Sequence, residues 1–136
     1  MAVLGTYLMV GLLLFPRRSL SGWELAISTS LVLGGMAFAL YALLFLGRSV
    51  SVMAEARHLV KGGPYSVVRH PLYLGEELAA VGAVIQYFSA GAIALLALQI
   101  ACQLYRMRCE EQVLGESFPE YAAYKARTFR ILPFIY

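Results

Sequence analysis

The sequence has few charged residues and no aspartate. Charged side chains make up 14% of its 136 residues, and all eight acidic residues are glutamate. An ordinary soluble domain carries roughly 25% charged residues, whereas 60% of this chain is hydrophobic. This composition excludes a disordered chain. It also disfavours a soluble domain, because too few polar residues are present to cover the long apolar runs. We therefore predict an all-α, polytopic membrane protein that forms a single domain over residues 1-136.

Cysteine is also scarce, and its two positions exclude a mutual disulfide. Cys102 and Cys109 fall in one predicted helix, where seven residues correspond to about 10 Å of rise, too far for a disulfide. The net charge is only +3, which basic cytoplasmic segments of a membrane protein account for. We therefore predict neither a nucleic-acid partner nor a metal, since no cluster has metal-ligand spacing.

Apolar runs predict about four transmembrane helices, namely Ala2–Phe15, Leu20–Leu46, Pro71–Tyr87 and Ala92–Leu114. The second run is ample for about 30 Å of hydrocarbon. The first run lacks the basic start and the cleavage site of a signal peptide, so we interpret it as a retained helix. An amphipathic helix is predicted around Val50–Val60 and a short helix around Pro119–Lys125.

Basic residues predict the orientation in the membrane. With four crossings, two arginines lie on one side, Arg17 and Arg18. Nine basic residues lie on the other side: Arg48, Arg57, Lys61, Arg69, Arg106, Arg108, Lys125, Arg127 and Arg130. This excess places the connection of residues 47–70 and the C-terminus in the cytoplasm.

The fourth predicted helix carries a polar stripe. Gln99, Gln103, Arg106 and Glu110 are separated by four, three and four residues, so they share one helix face. Polar groups at membrane depth are costly and commonly face a cavity or a partner. The stripe is compatible with a functional site or with a hydrogen-bonded seam between helices, in which Arg106 and Glu110 form a pair.

The third predicted helix begins with a second constellation. His70, Tyr73 and Glu77 fall on one face, and His70 precedes Pro71 at the helix start. Backbone N–H groups there are free to bind an anion. For His-Pro considered alone, simple capping of the helix is the favoured interpretation.

Several short motifs follow one another in a fixed order along the chain. They are Gly63-Pro64-Tyr65, Arg69-His70-Pro71-x-Tyr73-x-Gly75, Arg106-x-x-x-Glu110-Glu111, Tyr121-x-x-Tyr124 and Leu132-Pro133-Phe134-Ile135. Over about residues 50–136, this series resembles the isoprenylcysteine carboxyl methyltransferase and phospholipid methyltransferase family of integral membrane enzymes.

The resemblance implies S-adenosyl-L-methionine as cofactor. The cofactor-binding residues it implies are His58, Leu59, Val60, Tyr65, His70, Pro71, Leu72, Tyr73, Glu110 and Glu111. It implies that Arg106 acts at the substrate and reaction site, with Arg69 as a second basic candidate. The chain departs from the family at Phe118-Pro119-Glu120-Tyr121, which is one residue shorter and leaves the roles of Tyr121 and Tyr124 open.

The chemistry of these residue types agrees with that implication. Glu110 can bind the amino group of the cofactor, the helix start at His70 and Pro71 can bind its carboxylate, and Tyr65 or Tyr73 can face its sulfonium or adenine. Arg106 can hold a carboxylate acceptor. An amine acceptor would instead need a proton acceptor, such as Glu111 or His70.

We therefore predict S-adenosylmethionine-dependent methyl transfer to a lipidic or prenylated substrate at the cytoplasmic membrane face, with the lipid part entering from the bilayer. Two alternatives stay open. One is a small helical transporter or binding module without cofactor, which would use Glu76 or Glu77 as a proton or cation site. The other is a membrane reductase that uses a nicotinamide cofactor, although no Gly-x-Gly-x-x-Gly segment supports it.

Overall fold

Helices account for the architecture of the described chain. The computed structural model describes residues 10–47 and 59–132. Its helices are α1 (Gly22–Leu46), α2 (Pro71–Gln86), α3 (Ala90–Ser117) and α4 (Tyr121–Arg127), with short 3-10 helices at Gly11–Leu14 and Gly63–Ser66. The prediction of an all-α protein is confirmed for these residues, and the bounds of α1 to α4 lie close to the predicted ones.

Two predicted helices fall largely or partly outside the described ranges. Of the run Ala2–Phe15, the structure describes only residues 10–15, in which Val10 is α-helical and Gly11–Leu14 form a 3-10 helix. Residues 50–58 of the predicted amphipathic helix lie outside the described residues. Leu59 and Val60, which complete it, are not helical.

Two of the described helices, α1 and α3, are long and apolar enough to cross a membrane. In an apolar stretch of 18 residues within each helix, only 11% of the stretch is buried in α1 and 22% in α3. Both helices therefore turn most of this apolar surface outward, unlike the core helix of a soluble protein. On α1, the outward side chains include Trp23, Leu33 and Leu44. The 16 residues of α2 span only about 24 Å, and the count of four crossings stays a prediction.

Glycines bring α1 and α2 into backbone contact. A Cβ atom added to Gly35 would lie 2.6 Å from the Gly75 carbonyl oxygen, and one added to Gly75 would lie 2.7 Å from the Ala39 nitrogen. Small residues allow this close approach of helices in membranes. Near the other end of the pair, the Ser28 hydroxyl donates to the Gly82 carbonyl at 2.7 Å. The α1–α2 pair is thus an antiparallel unit that fixes the starting point of α2.

The chain turns sharply between α2 and α3. Ser89 caps α3 by accepting a hydrogen bond from the Ala92 N–H at 3.1 Å, which satisfies one of the free donors of the helix start. Beside this turn, Leu12, Val84 and Ala92 form a buried apolar cluster. The cytoplasmic end of α3, as the basic residues predict it, therefore lies at the same end of the molecule as the start of α2.

Candidate functional site

The segment that follows α4 returns to the segment that precedes α2. Val68 and Phe129 form a parallel bridge. Three backbone hydrogen bonds surround it: Arg69 N–H to Phe129 O at 2.8 Å, His70 N–H to Arg130 O at 3.1 Å, and Phe129 N–H to Val67 O at 3.0 Å. This pairing fixes the backbone of the Arg69-His70 step that leads into α2.

Glu111 lies at the centre of a group of basic side chains. Its carboxylate accepts hydrogen bonds from Arg69 Nε at 3.0 Å and from Arg130 Nε and Nη2 at 2.9 Å each. Lys125 Nζ lies 3.3 Å from Oε2, and His70 Nε2 lies 3.3 Å from Oε1. The Glu111 side chain is only 5% exposed. We name these five residues the Glu111 cluster.

The neighbouring Glu110 has a different environment. Its carboxylate accepts hydrogen bonds from the Tyr73 hydroxyl and from Arg106 Nε, the latter at 3.0 Å, and His70 Nδ1 lies 3.9 Å from Oε2. The Glu110 side chain is 39% exposed, so one side of it is accessible. We name His70, Tyr73, Arg106 and Glu110 the Glu110 cluster.

Aromatic contacts order the Glu110 cluster. The Arg106 guanidinium lies 5.1 Å from the centroid of the Tyr73 ring, within the range of a cation–π contact. On α2, the His70 ring stacks on the Tyr73 ring with centroids 5.6 Å apart. The cluster therefore places a cation over the Tyr73 ring and a carboxylate at the Tyr73 hydroxyl.

His70 joins the two clusters, because its ring nitrogens face Glu110 and Glu111. It is the N-cap residue of α2, yet its side chain makes no capping hydrogen bond. The predicted positions of His70 at the cap and Pro71 in the first turn are confirmed, but the imidazole faces the two glutamates instead of capping the helix. The first-turn N–H groups of α2 have no acceptor within the helix, so this end can bind an anion.

Three buried tyrosines lie in the segments that flank the site: Tyr65, Tyr121 and Tyr124. The Tyr124 hydroxyl donates to the Tyr65 carbonyl at 2.7 Å. Burial raises the pKa of each of these tyrosines to about 12, so both keep their protons at neutral pH. The Tyr121 hydroxyl is buried and has no hydrogen-bond partner within residues 10–47 and 59–132. Burial raises the pKa of Tyr121 as well.

The structure brings most of the sequence-predicted site residues to one end of the molecule. Tyr73, His70, Glu110 and Arg106 meet in the Glu110 cluster, and Arg69 and Glu111 meet beside it. The other described members flank them: Pro71 is buried, Leu72, Leu59 and Val60 are half-buried, and Tyr65 is buried. His58 lies outside the described residues.

Sequence reasoning missed two members of the Glu111 cluster, Lys125 and Arg130. Arg130 belongs to the irregular segment after α4, where no helical period relates it to Glu111. Its pairing depends on the return of the chain to residues 67–70, which the Val68–Phe129 bridge sets. The positive charge of Arg130 is the signal in the sequence, and by itself it predicts only the orientation of the chain.

The fold is that of membrane methyltransferases. The chain matches the phospholipid methyltransferase family over residues 23–121, and it belongs to that family. Its fold matches the solved structure of the eukaryotic intramembrane Ras methyltransferase ICMT, an isoprenylcysteine carboxyl methyltransferase. The TM-score is 0.73 with 23% identity, over 83% of this chain and 43% of that one.

Two curated bacterial relatives carry a different kind of name. The cobalt-zinc-cadmium resistance protein CzcN of Cupriavidus metallidurans is 31% identical over 96% of this chain and 61% of its own length. The nickel-cobalt-cadmium resistance protein NccN of Alcaligenes xylosoxydans xylosoxydans is 36% identical over 58% of this chain and 38% of its own length. The chain thus spans less than two thirds of the length of either relative.

Proposed function

We propose that the chain transfers a methyl group from S-adenosylmethionine to a lipidic or lipid-linked acceptor at the cytoplasmic membrane face. The family and the fold support methyl transfer in general. The observation that carries the proposal further is the unequal environment of two adjacent glutamates. Glu111 is buried and enclosed by basic groups, whereas Glu110 is accessible beside Arg106 and the Tyr73 ring.

The residues of the Glu110 cluster fit the groups of S-adenosylmethionine. The accessible carboxylate of Glu110 suits an amino group, and the first-turn N–H groups of α2 suit a carboxylate. The Tyr73 ring offers an aromatic face to an adenine or a cation. When bound, S-adenosylmethionine supplies an electrophilic methyl group on a positively charged sulfur.

Arg106 is proposed to orient the acceptor. Its guanidinium is held between the Glu110 carboxylate and the Tyr73 ring, and its side chain is 34% exposed. A planar cation of this kind can hold a carboxylate or phosphate oxygen in a fixed direction. For a displacement reaction without a nucleophilic protein residue, positioning and electrostatics supply most of the rate.

Arg69 and Glu111 are proposed to position the site rather than to contact the reacting groups. The Arg69 side chain is 9% exposed, and it donates to Glu111 and to the carbonyl oxygens of Lys125 and Thr128. These contacts fix the C-terminal end of α4 against the segment that leads into α2. His70, which lies between the clusters, is the proposed proton acceptor if the acceptor is an amine.

The test is calorimetric binding of S-adenosylhomocysteine to the purified protein. We expect wild-type binding in the micromolar range and a loss of at least tenfold in Glu110→Gln, because the neutral amide cannot pair with an ammonium group. Glu116→Gln is the matched control, since Glu116 lies exposed on the same helix and contacts Gln112. Equal affinity of Glu110→Gln and wild type would remove Glu110 from the cofactor site.

The names of the two relatives associate those proteins with metal resistance. The described residues contain no group of three or more His, Cys, Asp or Glu side chains that could hold a metal ion. We therefore propose that any contribution of this chain to metal tolerance depends on its methylated product. A variant with Arg106→Ala, which keeps the fold but loses turnover, is expected to lose that contribution too.

A further inference from the structure

A groove with a volume of about 460 Å3 opens between α1, α2 and α3. Its lining is mostly apolar and includes Val32, Met36, Leu40, Leu43, Ala79 and Ala83. Two polar side chains interrupt this lining, Glu76 on α2 and Gln99 on α3. This volume lies within the range of small-molecule sites in proteins, and the two polar residues give the groove a chemical preference.

Gln99 offers a hydrogen-bond acceptor that the rest of the described chain leaves unused. The residue is 4% exposed, and its side-chain oxygen Oε1 is buried without a partner among the residues described. One turn further along α3, Gln103 Nε2 donates to Glu76 Oε2 at 2.9 Å. A buried acceptor in apolar surroundings is unfavourable until a donor satisfies it, so this wall of the groove suits a ligand that donates.

The two acceptors lie deeper along the helices than the Glu110 cluster does. Glu76 follows Tyr73 by three residues on α2, and Gln99 precedes Arg106 by seven residues on α3. These separations correspond to about 5 Å and about 10 Å of helix rise. A donor that reaches them is therefore on the chain of a bound lipid, below its head group.

We propose that the groove holds the apolar chain of the methyl acceptor and selects a chain that carries a hydroxyl group. The hydroxyl donates to Gln99 Oε1 or to the Glu76 carboxylate, while the head group lies at the Glu110 cluster. The proposal rests on the proposed function, and it adds a specificity site at Glu76 and Gln99 that is separate from the reacting atoms.

The test is a competition measured by native mass spectrometry on the full-length protein in phosphatidylcholine nanodiscs. The probes are stearic acid and hydroxystearic acid in equal amounts, with a single positional isomer of hydroxystearic acid in each experiment because the isomers have the same mass. We expect isomers with a hydroxyl in the first half of the chain to be retained about five- to tenfold over stearic acid, the effect of one buried hydrogen bond. Gln99→Leu is expected to abolish the preference. Glu76→Gln, which keeps an acceptor, retains more of it than Glu76→Leu.

Two tryptophan variants distinguish binding of a probe in the groove from binding on the outer surface of α1. Met36→Trp narrows the groove and is expected to reduce retention of every probe. Leu33→Trp is the matched control, because Leu33 is 65% exposed on the same helix and does not line the groove. Equal retention in wild type and Met36→Trp would show that the chain lies elsewhere, or that another segment fills the groove, and would overturn the proposal.

Binding of S-adenosylhomocysteine tests the proposed function separately. S-adenosylhomocysteine affinity is measured on each variant and is expected to match wild type in Gln99→Leu, which also shows that the variant is folded. A protein that prefers hydroxylated chains but binds no S-adenosylhomocysteine would refute methyl transfer and leave a lipid-binding groove. One that binds S-adenosylhomocysteine without any preference among the chains would refute the specificity site alone.

Discussion

Glu110 and Glu111 are adjacent, yet their positions on the turn of α3 give them different partners. Consecutive residues on a helix point in directions about 100° apart, from 3.6 residues per turn. Glu111 therefore lies on the same buried face as Met107, one turn earlier, and Glu110 shares an accessible face with Arg106. A single step along the chain thus separates a residue that organises the fold from one that can bind a ligand.

We predict that Glu111→Gln strongly destabilises the protein. Arg69 and Arg130 are 9% and 12% exposed, so the substitution would leave two buried cations without their carboxylate. Removing one partner of a buried ion pair costs about 3–5 kcal/mol, and the partly exposed Lys125 adds little to this. Thermal unfolding in detergent should show a markedly lower melting temperature.

Glu116→Gln again serves as the control for that measurement. Because Glu116 is exposed, the melting temperature of this variant should stay near that of wild type. If Glu111→Gln has the same melting temperature as wild type instead, the Glu111 cluster contributes no stability. Glu111 is then available for the cofactor role that the family resemblance implies.

At the scale of elements, helix α2 depends on glycine for its place against α1. The Cα atoms of Gly35 and Gly75 face the backbone of the opposite helix, so neither position leaves room for a methyl group. Since Arg69, His70 and Tyr73 lie at the start of α2, a shift of this helix moves half of the site. The stability of the α1–α2 pair and the geometry of the Glu110 cluster are therefore linked.

We predict that Gly75→Ala lowers stability although alanine is the better helix former. In an open helical position the change stabilises a protein by about 0.5–1 kcal/mol. Here the new Cβ would lie 2.7 Å from backbone atoms of α1, so the helices must separate at a cost of about 1–3 kcal/mol. Unfolding in detergent measures the difference.

Gly34→Ala is the matched control, since a Cβ atom at Gly34 meets nothing within 4 Å, and it should raise stability slightly. If both glycine variants were to change stability by the same amount, the close backbone contact between α1 and α2 would be refuted.

Helix existence could be predicted from the sequence, whereas the assembly of the site could be predicted only in part. Long apolar runs and the position of Pro71 determine α1, α2 and α3, because each signal is local. The Glu111 cluster depends on Arg130, which reaches it through an irregular segment, and no spacing rule encodes that path. Likewise, the His-Pro step by itself suggests a cap, and only the packing of α3 shows that the ring faces two carboxylates.

At the scale of the whole molecule, orientation in the membrane is the property that the basic residues predict. The Glu110 cluster lies near the end of α3 that also carries the exposed Cys109. If this end is cytoplasmic, as the distribution of arginine and lysine predicts, the site is open to S-adenosylmethionine in the cytoplasm.

We predict that Cys109 reacts with a membrane-impermeant maleimide only from the cytoplasmic side. In a Cys102→Ser background, labelling should be strong in inside-out vesicles and weak in intact cells. Detergent-solubilised protein gives the maximum labelling for comparison. Strong labelling in intact cells would reverse the orientation and place the Glu110 cluster on the outer face.

The bridge between Val68 and Phe129 also sets the order of events during synthesis. Arg69 takes as acceptor a carbonyl oxygen 59 residues further along the chain, at Thr128. Because α1, α2 and α3 precede that residue, they are synthesised before the partner of Arg69. A nascent chain can therefore complete its Glu111 cluster only after Arg130 has been added, so a chain terminated before that point contains the three helices but lacks the contacts that join the two segments.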